Sequence, residues 1–283
     1  MATTAVNTTK TGASLIPTQV ANMLVEPLQA ESIVLNSGVR VFDSSAPLKI
    51  PAIKNTFSAE FVAEGAEIPN GGTADFGELT LMPTGRRGIK SIIRVTNELV
   101  RTADVTVSSV LQNKLVNDVR TKLDDALLAG DGKADSITGI LNQPDLKKAP
   151  LNVADADTIL DAMADMQANE ITPNRLFING KDFMKVRKLK DTTGRYLLQS
   201  DLASDAPNKL HGVPVTVTNK LPEGTAILGD MSSVAVVRDV DPQITVLTER
   251  YAEFDEIGIR VVVRYDLGII RPEGVVILGG ASE

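Results

Sequence analysis

The sequence predicts an α+β fold organised around one long helix. Three observations carry that reading: a polar-tipped hairpin pattern over residues 50–95, a helical pattern over about 104–129, and short helices alternating with apolar strands over 149–240. The last of these argues for a layered α/β region. The helix spans about 37 Å at roughly 1.5 Å per residue, enough to cross a domain. The hairpin has few apolar residues near its tip, and an isolated two-stranded ribbon is marginal in water. It therefore needs a partner outside its own subunit.

Composition narrows the function classes. The 283 residues suffice for two modest domains or one elaborated one. A hydrophobic content of 43% excludes bulk disorder. With three Tyr, seven Phe and no Trp, the core must rest on Val, Ile, Leu and Ala. Absence of cysteine removes a disulfide framework, a thiolate metal site and a thiol nucleophile. A net charge of −7 and a pI near 5.0 argue against a general nucleic-acid binder. They remain compatible with enclosing nucleic acid without gripping it. No apolar run reaches bilayer-spanning length, and the opening residues 1–10 lack the basic start and apolar core of a signal peptide.

Residues 1–13 are Thr/Ala-rich and are expected to be flexible or extended. Thr18 can cap a short helix through Val20, Met23, Leu24 and Leu28, limited by Pro27. The same stretch reads equally as an arm lying on a neighbouring subunit. Residues 33–53 suggest strands entering the hairpin. Its first strand alternates Phe57, Ala59, Phe61 and Ala63 with Ser58, Glu60, Val62 and Glu64. Pro69-Asn70-Gly71-Gly72 marks the turn. The return strand runs through Leu79 and Leu81 and, past Pro83, through Ile89, Ser91, Ile93 and Val95, with Lys90, Ile92 and Arg94 on its other face.

Charge is segregated along this ribbon. Five acids, Glu60, Glu64, Glu67, Asp75 and Glu78, occupy 60–78 without a Lys or Arg. Five bases, Arg86, Arg87, Lys90, Arg94 and Arg101, occupy 86–101 against the single acid Glu98. An acidic tip and a basic stem suit head-to-tail docking between identical chains, a contact type that closes into rings when the rotation permits. Glu60, Glu64, Glu67, Asp75, Glu78, Arg86, Arg87, Lys90 and Arg94 are therefore the candidate inter-subunit residues.

Thr102 or Asp104 is a suitable N-cap for the long helix. Its apolar positions, Val107, Leu111, Leu115, Val119, Leu123 and Leu127, recur every four residues. Each step overshoots a turn by about 40°, so the stripe migrates through roughly 200°. That suits a spine laid across a domain better than a coiled-coil seam. The glycines of Gly130-Asp131-Gly132 end the helix and supply a left-handed residue.

The segments AEFVAEGAEIP (59–69), TGRRGIKSIIRVTNELV (84–100) and LLAGDGKADSITGIL (127–141), set around the long helix, resemble the major capsid proteins of tailed phages. That family has the Hong Kong 97-type fold, shared with encapsulin shells. The resemblance implies an N-terminal arm (1–47), an extended loop (48–95), a peripheral domain with the spine helix (96–148), an axial domain (149–240) and return strands of the peripheral domain (241–283). It also implies assembly through hexamers and pentamers into an icosahedral phage head enclosing double-stranded DNA without specific binding. A portal, and scaffolding or decoration proteins as separate chains, are the implied partners; synthesis belongs to the host cytoplasm. Little sequence precedes the arm, so scaffolding is expected on another protein, or the chain as given starts after it.

Within 149–240, Asp155 or Asp157 caps a helix with Ile159, Leu160, Met163 and Met166, and a strand follows over 175–178. A second helix over 180–188 carries Phe183, Met184 and Val186. Strands are expected over 213–217, 225–228 and 234–237, after a polar loop at 190–205. Ile257, Ile259, Val261, Val263 and Tyr265 alternate with Gly258, Arg260, Val262 and Arg264, a half-buried strand. The C-terminal strands, 269–270 and 275–278 included, are expected beside the spine helix.

No catalytic, cofactor or metal site emerges. His211 is the single histidine and reads as a turn or surface residue without the further ligands a metal needs. Gly130-Asp131-Gly132-Lys133 follows a helix, whereas a phosphate loop precedes one. Asp124, Asp125 and Asp131 lack the spacing of a calcium loop. Met163, Met166 and Met184 are read as core gap-fillers. The rival readings are an encapsulin-type compartment shell and an α/β enzyme, the latter disfavoured because no nucleophile, base or cofactor motif is assembled. Some capsid proteins of this family join a loop lysine to a neighbour's asparagine, but residues 58–85 contain no lysine. Denatured particles are therefore expected to give only monomer mass in mass spectrometry; a ladder of subunit multiples contradicts this.

Overall fold

The computed structural model describes residues 32–53, 61–62, 76–82, 88–98, 105–133, 136–153, 157–189, 209–239, 243–247 and 249–279. The short helix expected near Thr18, the hairpin tip, the caps proposed at Thr102 and Asp104 and the polar loop at 190–205 lie outside these residues. After a 3-10 turn at Leu35–Ser37, the strands β1 (Arg40–Asp43), β2 (Leu48–Ile53), β3 (Phe76–Leu81) and β4 (Ile89–Thr96) lead into helix α1 (Val105–Ala129). Then follow β5 (Lys147–Ala149), α2 (Asp157–Gln167), β6 (Arg175–Ile178), α3 (Gly180–Arg187), β7 (Lys209–Leu210), β8 (Val213–Val217) and β9 (Thr225–Gly229). The chain closes through β10 (Val234–Arg238), β11 (Gln243–Leu247), β12 (Glu256–Val263), β13 (Tyr265–Ile269) and β14 (Val275–Gly279).

Among the described residues these strands form four sheets, ordered β1-β10-β13, β11-β12-β4, β5-β14-β9-β6-β8-β7 and β2-β3. The hairpin is real but shorter than the sequence suggests. β2 and β3 pair antiparallel from Leu48↔Leu81 to Ile53↔Phe76. The second half of the expected return strand leaves it: β4 pairs instead with β12, from Ile89↔Val263 to Thr96↔Glu256. The break has a local cause at Met82, which adopts the left-handed region at φ 54°. Its N–H donates to Asp266 Oδ2 at 2.6 Å, pinning the end of β3 to β13. Gly268 makes the approach possible, because a Cβ there would lie 2.5 Å from Leu81 Cδ2.

α1 buries Leu115, Val119, Leu123 and Leu127, four of the six stripe positions. The side chains of Val107 and Leu111 lie outside the described set. The buried four share a core with Val261, Val263 and Tyr265, and Ile89 and Ile93 pack against it. The helix thus lies under the inner face of the β11-β12-β4 sheet. It ends as expected at Ala129, but the left-handed glycine is Gly132, at φ 69°. Gly130 serves close approach instead: a Cβ would stand 2.2 Å from the Ile137 carbonyl oxygen.

One turn of α1 holds two distant segments. Asp124, 1% exposed, accepts from Ser32 Oγ at 2.6 Å and from the N–H groups of Ile33 at 3.3 Å and Val34 at 3.5 Å. Beside it, Asp125 pairs with Lys220 Nζ at 2.9 Å, and the same ammonium donates to the Thr121 carbonyl at 3.3 Å. Leu221 follows Lys220 into the core. The root of the N-terminal segment and the loop before β9 are therefore fastened at adjacent positions on the spine.

The second core fills the six-stranded sheet and the helices on it, with Ile159, Met166, Leu176, Phe183, Val186 and Leu228 among its buried members. Three sequence expectations change here. Leu160 and Met184 face outward, 41% and 50% exposed, so Met184 is no core gap-filler. β14 does not return beside the spine; it pairs with β9 and β5 in this sheet. β10, taken as part of the 149–240 region, pairs with β1 and β13.

Asp182, at the start of α3, is a polar lock in this half. It is fully buried and accepts from Lys185 Nζ at 2.8 Å and from Gly224 N–H at 2.5 Å. Burial pushes its pKa up, yet the Lys185 and Gly224 hydrogen bonds and the Lys185 and Lys181 charges prevail and hold it below the usual carboxylate value. A depressed folded-state pKa gives stability that is present above the unfolded value of about 3.9 and is lost as pH falls through the folded one. Lys185→Met is therefore expected to shift acid unfolding, followed by circular dichroism, to higher pH; an unmoved midpoint contradicts this. Asp124→Ala, which strands a buried hydroxyl and two amides, is expected to cost about 2–3 kcal/mol in denaturant unfolding of unassembled subunits. A loss under about 0.5 kcal/mol would exclude an anchoring role.

Candidate assembly interface

Alternation along β4 decides what its outer face presents. Ile89, Ser91, Ile93 and Val95 turn toward the spine, and Lys90, Ile92, Arg94 and Thr96 turn outward, as a strand's two-residue period requires. Opposite them on β12 stand Val262, Arg260, Gly258 and Glu256. The outer face of this sheet therefore gathers Lys90, Arg94 and Arg260 around Ile92, which is 45% exposed. Glu256 is the acid among these positions, with Arg94 Nη1 3.8 Å from its carboxylate. Arg94 is the exposed member of this pair and Glu256 the part-buried one, and at that distance Arg94 stays available to another acid.

An aromatic ring holds Arg94 in place. Its guanidinium lies 5.2 Å from the centre of the Tyr251 ring, and that of Arg250 lies 5.8 Å from the same ring. The ring rests on the sheet because residue 258 is glycine; a Cβ would stand 2.8 Å from Tyr251 Cε2. The turn carrying Tyr251 is tied back to the end of β4, where Asn97 Nδ2 donates to Asp255 Oδ1 at 2.6 Å and Asn97 N–H to the Asp255 carbonyl at 2.9 Å.

Of the nine candidate residues, Lys90 and Arg94 are brought together on one face, two positions either side of Ile92. Glu78 lies in the paired hairpin, where its carboxylate meets Lys49 Nζ at 2.8 Å, so part of the acidic tip is already matched within its own ribbon. Glu60, Glu64, Glu67, Asp75, Arg86 and Arg87 lie outside the described residues. Phe61 is fully exposed and Val62 is 37% exposed. Arg260, Tyr251 and Gly258 were not singled out for the interface from sequence. The Gly258, Arg260 alternation was visible, but its strand partner stands more than 160 residues earlier and carries no local signal.

Other polar groups serve the fold. His211 is an exposed residue at φ 49° in the turn between β7 and β8. Asp131 accepts from Ser136 Oγ at 2.8 Å and Lys133 N–H at 3.1 Å, closing its own loop. Among the described residues no group of three His, Asp or Glu side chains is placed to hold a metal ion, and no helix is long and apolar enough to cross a membrane.

Comparison with known proteins agrees with this architecture. The chain is similar to the major capsid protein of Enterobacteria phage HK97, 27% identical over 136 residues, which is 47% of this chain and 35% of that protein. It is also similar to the major capsid protein of Klebsiella oxytoca phage phiKO2, 22% identical over 94% of this chain and 68% of that one. The match thus spans about a third of the first relative's length. In three dimensions it superposes on the capsid of a native GTA particle with a TM-score of 0.72 at 18% identity, covering 89% of this chain and 94% of the other. A chain of Microbacterium phage Oxtober96 gives 0.68 at 17% identity, covering 88% and 90%. These likenesses show the α+β Hong Kong 97-type capsid fold. The model of the phage capsid family matches residues 12–280, and the chain belongs to that family.

Proposed function

We propose that this protein is a structural major capsid subunit that self-assembles through hexamers and pentamers into an icosahedral head around double-stranded DNA. The family match over residues 12–280 carries the reading. The segregated charge of the loop supports it, with an acidic run at 60–78 and a basic one from Arg86 onward. The subunit needs no catalytic machinery for this role, and its partners are copies of itself, a portal and separate scaffolding or decoration proteins. Both curated relatives are phage capsid proteins, which weighs against the compartment-shell alternative. The net charge of −7 favours DNA that is enclosed rather than gripped.

In this reading residues 1–47 form an arm, 48–95 an extended loop, and Lys90, Arg94, Arg86 and Arg87 receive the acidic loop of the next subunit. Exposed ion pairs are individually weak, so the docking acts through several charges together. Expression of the wild-type chain is expected to give closed shells in electron microscopy. Changing Arg86 and Arg87 together to Glu is expected to leave unassembled subunits with unchanged circular dichroism. Shells that persist in that variant contradict tip-to-stem docking.

A further inference from the structure

We infer that the outer face of α2 in one subunit docks on the outer face of α3 in a second copy, with Leu160 against Met184 at the centre of the contact. The inference rests on the shell reading above and uses no residue of β4 or of the extended loop. Ile159, Ala162 and Met166 of α2 and Phe183 and Val186 of α3 fill one core with Leu176 and Ile178 of β6. Phe177, between those two, belongs to the spine core instead. Side chains alternate between the faces of a strand, so both helices lie on the same side of the six-stranded sheet. What they leave unburied is the outer surface of that layer.

Each outer face is apolar at its centre and charged around it. Leu160, 41% exposed, has Asp157 three residues before it and Asp161 one after, both exposed. Met184, 50% exposed, has Lys181 three before it and Lys185 one after, both exposed as well. The spacing is the same and the sign is opposite. Asp165 extends the first patch, and Lys188, just past α3, extends the second. The subunit answers these charges only in part, through Lys147 on Asp165 at 2.8 Å, Glu223 on Lys181 and Asp182 on Lys185 at 2.8 Å. With those partners counted, α2 stays net negative and residues 180–188 net positive. Two copies of α2 face to face would set acid on acid, and two of α3 base on base, and like charges disfavour contact. The match is therefore between different patches, a heterologous contact of the kind that closes into rings. It also removes from water the two large apolar side chains that α2 and α3 leave exposed.

The chain has no cysteine, so an engineered pair reports without background. Particles assembled from Leu160→Cys/Met184→Cys and oxidised are expected to give a ladder of subunit multiples on non-reducing gels that collapses with reductant. Leu160→Cys and Met184→Cys, each alone, are expected to stay monomeric. A dimer from either single variant, a ladder that stops at two, or no bond between chains overturns the head-to-tail contact. Because cysteine variants can fail to assemble, oxidation of Met184 by hydrogen peroxide, read by peptide mass spectrometry, provides a second measurement on the wild type. Met184 is expected to oxidise about tenfold more slowly in shells than in free subunits, since access to the thioether governs the reaction. Equal rates in closed shells overturn the contact and leave the shell reading standing. If the wild type forms no closed shells in electron microscopy, the shell reading itself fails, and the contact with it.

Discussion

The antiparallel pairing of β4 with β12 is the constraint on which the rest of the molecule depends. It joins residues 89–96 to 256–263, fastening two distant stretches of the chain together above the spine. With that register set, the two-residue period leaves no freedom about which side chains face the helix and which face out. Slipping by one residue would carry Lys90, Ile92 and Arg94 into the core and expel Ile89, Ile93 and Val95. Burial against α1 thus selects the outer face, and the outer face is where the charge collects. Among the described residues β4 stands last in its sheet, because it pairs with β12 instead of continuing the hairpin with β2.

The spine has a second role beyond burial. Within the turn from Thr121 to Asp125, one carboxylate gathers the Ser32 hydroxyl and two amides, and its neighbour holds Lys220. A buried carboxylate is costly to desolvate unless hydrogen bonds replace its water, and Asp124 receives three. The start of the described chain and the half containing the six-stranded sheet are therefore referenced to one rigid element. Movement of either relative to the other has to be accommodated at this turn or by breaking these bonds.

Much of this was legible in the sequence because it rests on local periodicity. The four-residue apolar spacing marked α1 almost to its ends, and alternation marked β12 and the faces of β4. Apolar runs located β6, β8, β9 and β10. Pairing over long separations was not legible. Nothing near Ile89 announces β12, and nothing near Val275 announces β9 and β5, so the hairpin was read too long and the last strand placed beside the wrong element. Met82 was hidden for another reason: no residue type signals a left-handed methionine, which is held there by Asp266 from a different sheet. Leu160 and Met184 show the reverse error, apolar residues on helical faces that this subunit leaves open. The charge pattern of the outer face of β4 was readable, but the residues that orient Arg94, Tyr251 and Gly258, were not.

The decisive measurement is electron cryo-microscopy of assembled particles at a resolution that traces the main chain. The acidic loop, residues 60–78, of the adjacent subunit should then lie against Lys90 and Arg94 on the outer face of β4. A basic face of β4 open to solvent, or covered by a segment of its own chain, would contradict the idea that the loop docks on its neighbour.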